Sequence, residues 1–130
     1  MKRVFLIFAE QDSIKVKSLL EELKHPDCEF DFYEINPGLD FESLAAEAAK
    51  REIGRKIVNS EVTLCLISEF THQSKWVDCG LQKSRHKGNK IFAMALKKVE
   101  SAVLPKVVKE ENLRFYPWDP NKLWQLISSV

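Results

Sequence analysis

The chain has 130 residues, of which 45% are hydrophobic and 30% charged, and these values predict one globular domain spanning residues 1–130. Its 20 basic and 19 acidic residues leave a net charge of +1, which excludes the strong positive field that attracts nucleic acid or an anionic membrane. No apolar run approaches the roughly 18 residues of a membrane span or forms a signal peptide, so we expect a cytoplasmic protein.

The first third of the chain alternates between strand and helix patterns. Lys2 to Ala9 is rich in Val, Ile and Phe, and its length is typical of a strand buried on both faces. The next apolar residues repeat at i, i+3, i+4 and i+7, which predicts a helix that is capped by Asp12 or Ser13 and ends near Lys24. Glu29 to Ile35 alternates aromatic and acidic residues and predicts a second strand nearer the sheet edge.

The middle of the chain continues this alternation. Glu42 to Asn59 predicts a second helix. Its expected inward stripe consists of Leu44, Ala45, Ala48, Ala49, Ile53 and Ile57. Val62 to Ile67 and Ile91 to Leu96 are apolar runs of strand length, and a helical stretch from Lys75 to Lys87 separates them.

The last third carries weaker patterns. Pro105 to Asn112 predicts a short helix, and Leu113 to Tyr116 predicts a fifth strand. Asp119 and Pro120 supply the cap and first residue of a final helix. Strands that alternate with helices at this spacing need crossover connections. The predicted fold class is therefore α/β, with a central parallel sheet of four to five strands and helices on both faces.

Ligands of an open parallel sheet bind at the carboxyl ends of the strands, and the loops there disfavour several chemistries. The loop after the first strand reads AEQDS and has no glycine to cradle the phosphate of FMN. The third strand ends in Ser68 and Glu69 rather than in the aspartate of a phospho-receiver. The sequence contains none of the motifs that identify nucleoside triphosphatases, dinucleotide-binding proteins, zinc proteases or serine hydrolases. The three cysteines form no C-x-x-C pair, so we expect reduced thiols and no metal site.

Three segments carry a resemblance to a known family: KRVFLIFAEQD at 2–12, IVNSEVTLCLIS at 57–68 and THQSKWVD at 71–78. With their spacing, they resemble the TIR-like proteins of the Thoeris anti-phage defence type, a branch of the Toll/interleukin-1 receptor domain superfamily. The pattern T-x-x-S-x-W-V after a buried strand is characteristic of this branch. The resemblance covers the chain from Lys2 to about Leu96 and implies a flavodoxin-like, three-layer sandwich.

The resemblance also implies an activity. Enzymes of this kind take NAD+ as a substrate rather than a cofactor, cleave its nicotinamide–ribose bond and often release a cyclic or conjugated ADP-ribose messenger. The reaction passes through an oxocarbenium-like state, which a carboxylate near the ribose stabilises. The implied partners are NAD+ or an ADP-ribose-type nucleotide, further copies of the chain in a homo-oligomer, and a downstream effector that senses the product.

The chain departs from the family pattern at two positions. The family carries a glutamate four residues after the tryptophan, but four residues after Trp76 stands Gly80, the position of the expected catalytic residue. The family also tends to place a serine where this chain has Ile7. These departures predict impaired activity and leave Glu69 as the candidate substitute carboxylate, although a solvated loop acid also explains this residue. The alternative function is a non-catalytic TIR-like module that self-associates or binds a nucleotide without cleaving it.

The predicted substrate-binding residues are Phe8, Ala9, Asp12, Ser74 and Trp76. Trp76 is either a stacking wall of the nucleotide pocket or an aromatic residue that packs on the sheet. Ser74 is expected above all to cap the third helix through its hydroxyl. Phe8 and Ala9 are candidates for the pocket floor, although core packing also explains both.

Overall fold

The computed structural model describes every residue from Met1 to Val130 and contains five strands and five α-helices. The strands are β1 (Lys2–Ile7), β2 (Cys28–Asp31), β3 (Val62–Ile67), β4 (Lys90–Ala95) and β5 (Phe115–Tyr116). The helices are α1 (Ser13–Leu23), α2 (Leu44–Val58), α3 (Lys75–Lys87), α4 (Lys106–Glu110) and α5 (Pro120–Ser128). None of these helices has the length and apolar character needed to cross a membrane.

All five strands belong to one parallel sheet in the order β2-β1-β3-β4-β5. β1 lies between β2 and β3, so that Val4 has Phe30 on one side and Val62 on the other. The strand order reverses direction between β1 and β3. The predicted parallel α/β architecture is confirmed, in the flavodoxin-like arrangement that the resemblance implies.

Each face of the sheet is covered by helices. Phe5 and Ile7 of β1 point into a core shared with α2, α3 and α4, whereas Val4 and Leu6 point into the core shared with α1 and α5. Every residue of β3 is buried. Burial on both faces is the reason that the central strands appear in the sequence as continuous apolar runs.

Most predicted boundaries are close to the observed ones, and those of β3 and α3 agree fully. The differences include β2 and α4, which end before the predicted residue, and β5, which begins two residues after it. β2 stops at Asp31, whose carboxylate accepts a hydrogen bond from the Phe32 N–H and pairs with Lys56. β2 lies at the edge of the sheet, as expected, so it pairs with β1 alone.

The predicted inward stripe of α2 is wrong at three positions. Leu44, Ala45 and Ala48 are exposed, and Leu44 keeps 92% of its surface accessible. Ala46 is fully buried instead, together with Ala49, Ile53 and Ile57. Several helical phases fit an alanine-rich segment, and the packing of α2 against the sheet selects among them.

Candidate functional site

The candidate site lies where the strand order reverses, between the loops that follow β1 and β3, since ligands of this fold bind at that crevice. Two side-chain hydrogen bonds connect these loops. The Ser68 hydroxyl donates to Oδ2 of Asp12 at 2.5 Å, and the Ser74 hydroxyl donates to Oε1 of Glu10 at 2.5 Å. Both acceptors are carboxylates, so the bonds hold the two loops together strongly.

Asp12 is buried, with 6% of its surface exposed. Burial raises the pKa of its carboxyl. The hydrogen bond from Ser68 lowers this pKa in part, and the nearby charge of Glu69 raises it further. Asp12 precedes α1 at the N-cap position but accepts no capping hydrogen bond, and Ser13 makes none in its place. The predicted side-chain cap is therefore wrong, because the carboxylate of Asp12 is directed towards Ser68.

Ser74 begins α3 and makes two hydrogen bonds through one hydroxyl. Its Oγ accepts from the Val77 N–H at 3.2 Å and donates to Glu10. The predicted capping role is confirmed. Because the hydroxyl is already engaged on both sides and the residue is only 8% exposed, its predicted contact with a substrate remains a prediction.

Trp76 is a packed core residue with 5% exposure. Its ring meets that of Phe41 edge to face, with centroids 4.8 Å apart, and the Lys50 ammonium lies 3.9 Å from the centre of the Phe41 ring. These contacts agree with the packing interpretation of Trp76. A stacking role towards a nucleotide stays a prediction.

Gly80 is buried within α3, which continues through it without a break. Beside it lies a cavity of about 30 Å³, whose apolar lining includes Ile7, Phe8, Tyr33 and Trp76. This volume corresponds to a water molecule or two, whereas pockets for drug-sized ligands measure roughly 300–1,000 Å³. No carboxylate lines the cavity.

Of the remaining predicted residues, Phe8 lines this cavity, whereas Ala9 and Glu69 do not. Phe8 is half-buried, with its ring centroid 5.6 Å from that of Phe32. Ala9 is fully buried in the core beneath α2 and α3. Glu69 is exposed on the loop after β3, near Asp12. The structure thus groups Phe8, Trp76 and Gly80 around the cavity and places Asp12 with Glu69 at the loop crevice.

Sequence reasoning missed the pairing of the two loops. Glu10 and Ser68 lie in the loops that follow β1 and β3, so their place at one sheet edge was a usable signal, but their partners were not evident. Cys79, next to Gly80, has a thiol whose pKa is raised by burial, which disfavours a nucleophilic role. No group of three or more His, Cys, Asp or Glu side chains is arranged to hold a metal ion.

Comparison with models of known protein families finds a match. Residues 5–101 match the family model described as Thoeris protein ThsB, TIR-like domain. The matched region runs from Phe5 in β1 past the end of β4 and contains α1 to α3, both crevice loops and the residues that line the Gly80 cavity. No curated protein matches the chain.

Proposed function

The chain belongs to the Thoeris ThsB TIR-like domain family, whose role is in anti-phage defence, and from that premise we propose that it is a TIR-like module that does not cleave NAD+. The observation that carries this proposal is the small apolar cavity at Gly80, which no carboxylate lines. In the family to which the chain belongs, the corresponding side of α3 is expected to carry the catalytic glutamate.

The chemistry explains why this cavity matters. Breaking the nicotinamide–ribose bond builds positive charge on the ribose, and a carboxylate held against it lowers the barrier. Removing one preorganised group of this kind costs roughly 10²–10³ in rate in well-studied enzymes. At Gly80 the protein offers neither a charge nor space for the ribose.

A second candidate function is NAD+ cleavage by a relocated carboxylate. The effect of Glu69 and Glu10 on the pKa of Asp12 indicates that three carboxyl groups share the loop crevice. Glu10 and Asp12 are each bound to a serine hydroxyl, whereas Glu69 is exposed and remains the best candidate.

Both candidate functions are tested by incubating the purified protein with NAD+ and measuring the released nicotinamide by chromatography. We expect no release above that of buffer. Release by the wild-type protein would overturn the proposal. In that event Glu69→Gln should abolish it if the second candidate is correct, whereas Glu21→Gln, at an exposed acid on α1, should leave it unchanged.

A module without this activity can still act in defence by self-association or by binding an ADP-ribose-type nucleotide. Its three cysteines form no disulfide, which agrees with a proposed place in the cytoplasm, where NAD+ is available. Sedimentation velocity with and without NAD+, together with calorimetric titration of NAD+ and ADP-ribose, separates the two modes. A monomer that binds neither nucleotide would contradict both.

A further inference from the structure

The two positions at which the chain departs from the family pattern are far apart in sequence but touch in the fold. Ile7 is the last residue of β1, and Gly80 lies in the second turn of α3, which packs on it. A Cβ atom placed on Gly80 would lie 2.8 Å from Cδ1 of Ile7. Carbon atoms in contact normally stay about 3.5–4.0 Å apart, so a side chain at this position requires Ile7 or α3 to shift.

The closest obstruction comes from Ile7. The three atoms nearest to such a Cβ are Cδ1, Cγ1 and Cγ2 of Ile7, at 2.8, 3.4 and 3.7 Å. Ile7 is itself 5% exposed and packed in the core, so its side chain cannot simply turn into solvent. The adjacent cavity of about 30 Å³ is too small to receive a displaced side chain together with a new carboxylate.

A glycine inside a helix normally costs about 1 kcal/mol relative to alanine and needs a reason. The backbone supplies none here, because Gly80 has ordinary helical geometry and the chain's one positive-φ glycine is Gly88. The close approach of Ile7 does give a reason for a glycine at this position. The glycine is therefore a packing requirement of the isoleucine.

We propose that Ile7 and Gly80 form a matched pair that fills the space beside α3, and that Ile7 determines whether α3 can carry an acidic side chain there. The inference rests on the proposed function, since it explains why the cavity beside Gly80 is small and apolar. It follows that restoring a glutamate at position 80 is not sufficient to reopen the site. Shortening Ile7, as in Ile7→Ser, must accompany it.

The test compares the effect of Gly80→Glu on the melting temperature in two backgrounds, the wild-type chain and Ile7→Ser. In the wild-type chain we expect a loss of at least about 5 °C, because a side chain is forced against Ile7 and a charge is buried. In the Ile7→Ser chain the charge is still buried but the overlap with Cδ1 is gone, so the same substitution should cost at least about 3 °C less. Equal losses in the two backgrounds would overturn the matched pair.

Two further variants keep the test decisive. If Ile7→Ser does not fold, Ile7→Val replaces it, since valine lacks only the offending Cδ1 atom and should still reduce the loss. Gly54→Glu is the matched control, because a Cβ at Gly54 of α2 meets only the Lys83 side chain, at 3.7 Å. Its effect on the Tm should be the same in both backgrounds.

Nicotinamide release adds an independent readout. We expect the Ile7→Ser, Gly80→Glu protein to release at least tenfold more nicotinamide than Gly80→Glu alone. Equal release by these two proteins would overturn the matched pair. Release by the wild-type protein contradicts the proposed function only, so the two failures are distinguishable.

Discussion

The two mid-helix glycines predict opposite responses to one substitution. Gly54 lies in α2 and Gly80 in α3, and neither adopts a positive φ. Alanine at a helix interior is favoured over glycine by about 1 kcal/mol. At Gly54 the new methyl group would make ordinary contact with Lys83 at 3.7 Å, so we expect Gly54→Ala to raise the free energy of unfolding by about 1 kcal/mol.

At Gly80 the same helix gain is opposed by overlap with Ile7, 2.8 Å away. Overpacking a core by one methyl group costs about 1–3 kcal/mol, so Gly80→Ala should lower the free energy of unfolding by about 1 kcal/mol. Ile7→Val removes Cδ1 and by itself costs about 0.5–1.5 kcal/mol. In that background Gly80→Ala should become stabilising, which gives a coupling of about 2 kcal/mol between the two positions.

Urea denaturation of these variants, monitored by circular dichroism, measures the free energies. Gly54→Ala provides the control for intrinsic helix propensity. The reasoning is refuted if Gly80→Ala stabilises the wild-type chain as much as Gly54→Ala does, or if Ile7→Val leaves the effect of Gly80→Ala unchanged.

Three further predictions concern the crevice and the core. Because the pKa of Asp12 is raised above its unfolded value of about 3.9, its stabilising contribution is complete below that pH and is lost as the pH rises through the folded pKa. Asp12→Asn should therefore raise the Tm near neutral pH. Calorimetry at several pH values should show that this rise in Tm disappears near pH 4. A rise that is the same at every pH would contradict the reasoning. Ser74→Ala removes the cap of α3 and should lower the free energy of unfolding, measured by urea denaturation, by about 1 kcal/mol. Ser74→Asn keeps a capping side chain and should lose only a small part of that free energy. Burial raises the pKa of Cys65 to about 12, so a thiol reagent at neutral pH should label it only as fast as the protein unfolds, after Cys28 and Cys79, as followed by mass spectrometry.

The elements themselves could be predicted because their signals are local. The apolar run Val62 to Ile67 has the length of a buried strand, and Lys75 to Lys87 is bounded by a capping serine before it and by Gly88 after it. Such patterns depend only on neighbouring residues and on the period of the backbone. The orientation of α2 was predicted wrongly, because alanines lie on several faces of the helix, and Ala46 rather than Leu44 proved to be buried.

The candidate site also combines features that the sequence predicts with features that depend on the tertiary structure. By itself, the sequence determined the parallel α/β class, the family, and the absence of a glutamate at Gly80, since these depend on residue identity and spacing. Only the tertiary structure decided that Ile7 fills the space beside Gly80 and that Asp12 and Glu10 bind Ser68 and Ser74. Those contacts join segments distant in sequence, and they exist because the sheet places β1 beside β3 and packs α3 across them. A glycine that appears in the sequence as a missing catalytic group is, in the fold, one half of a steric pair.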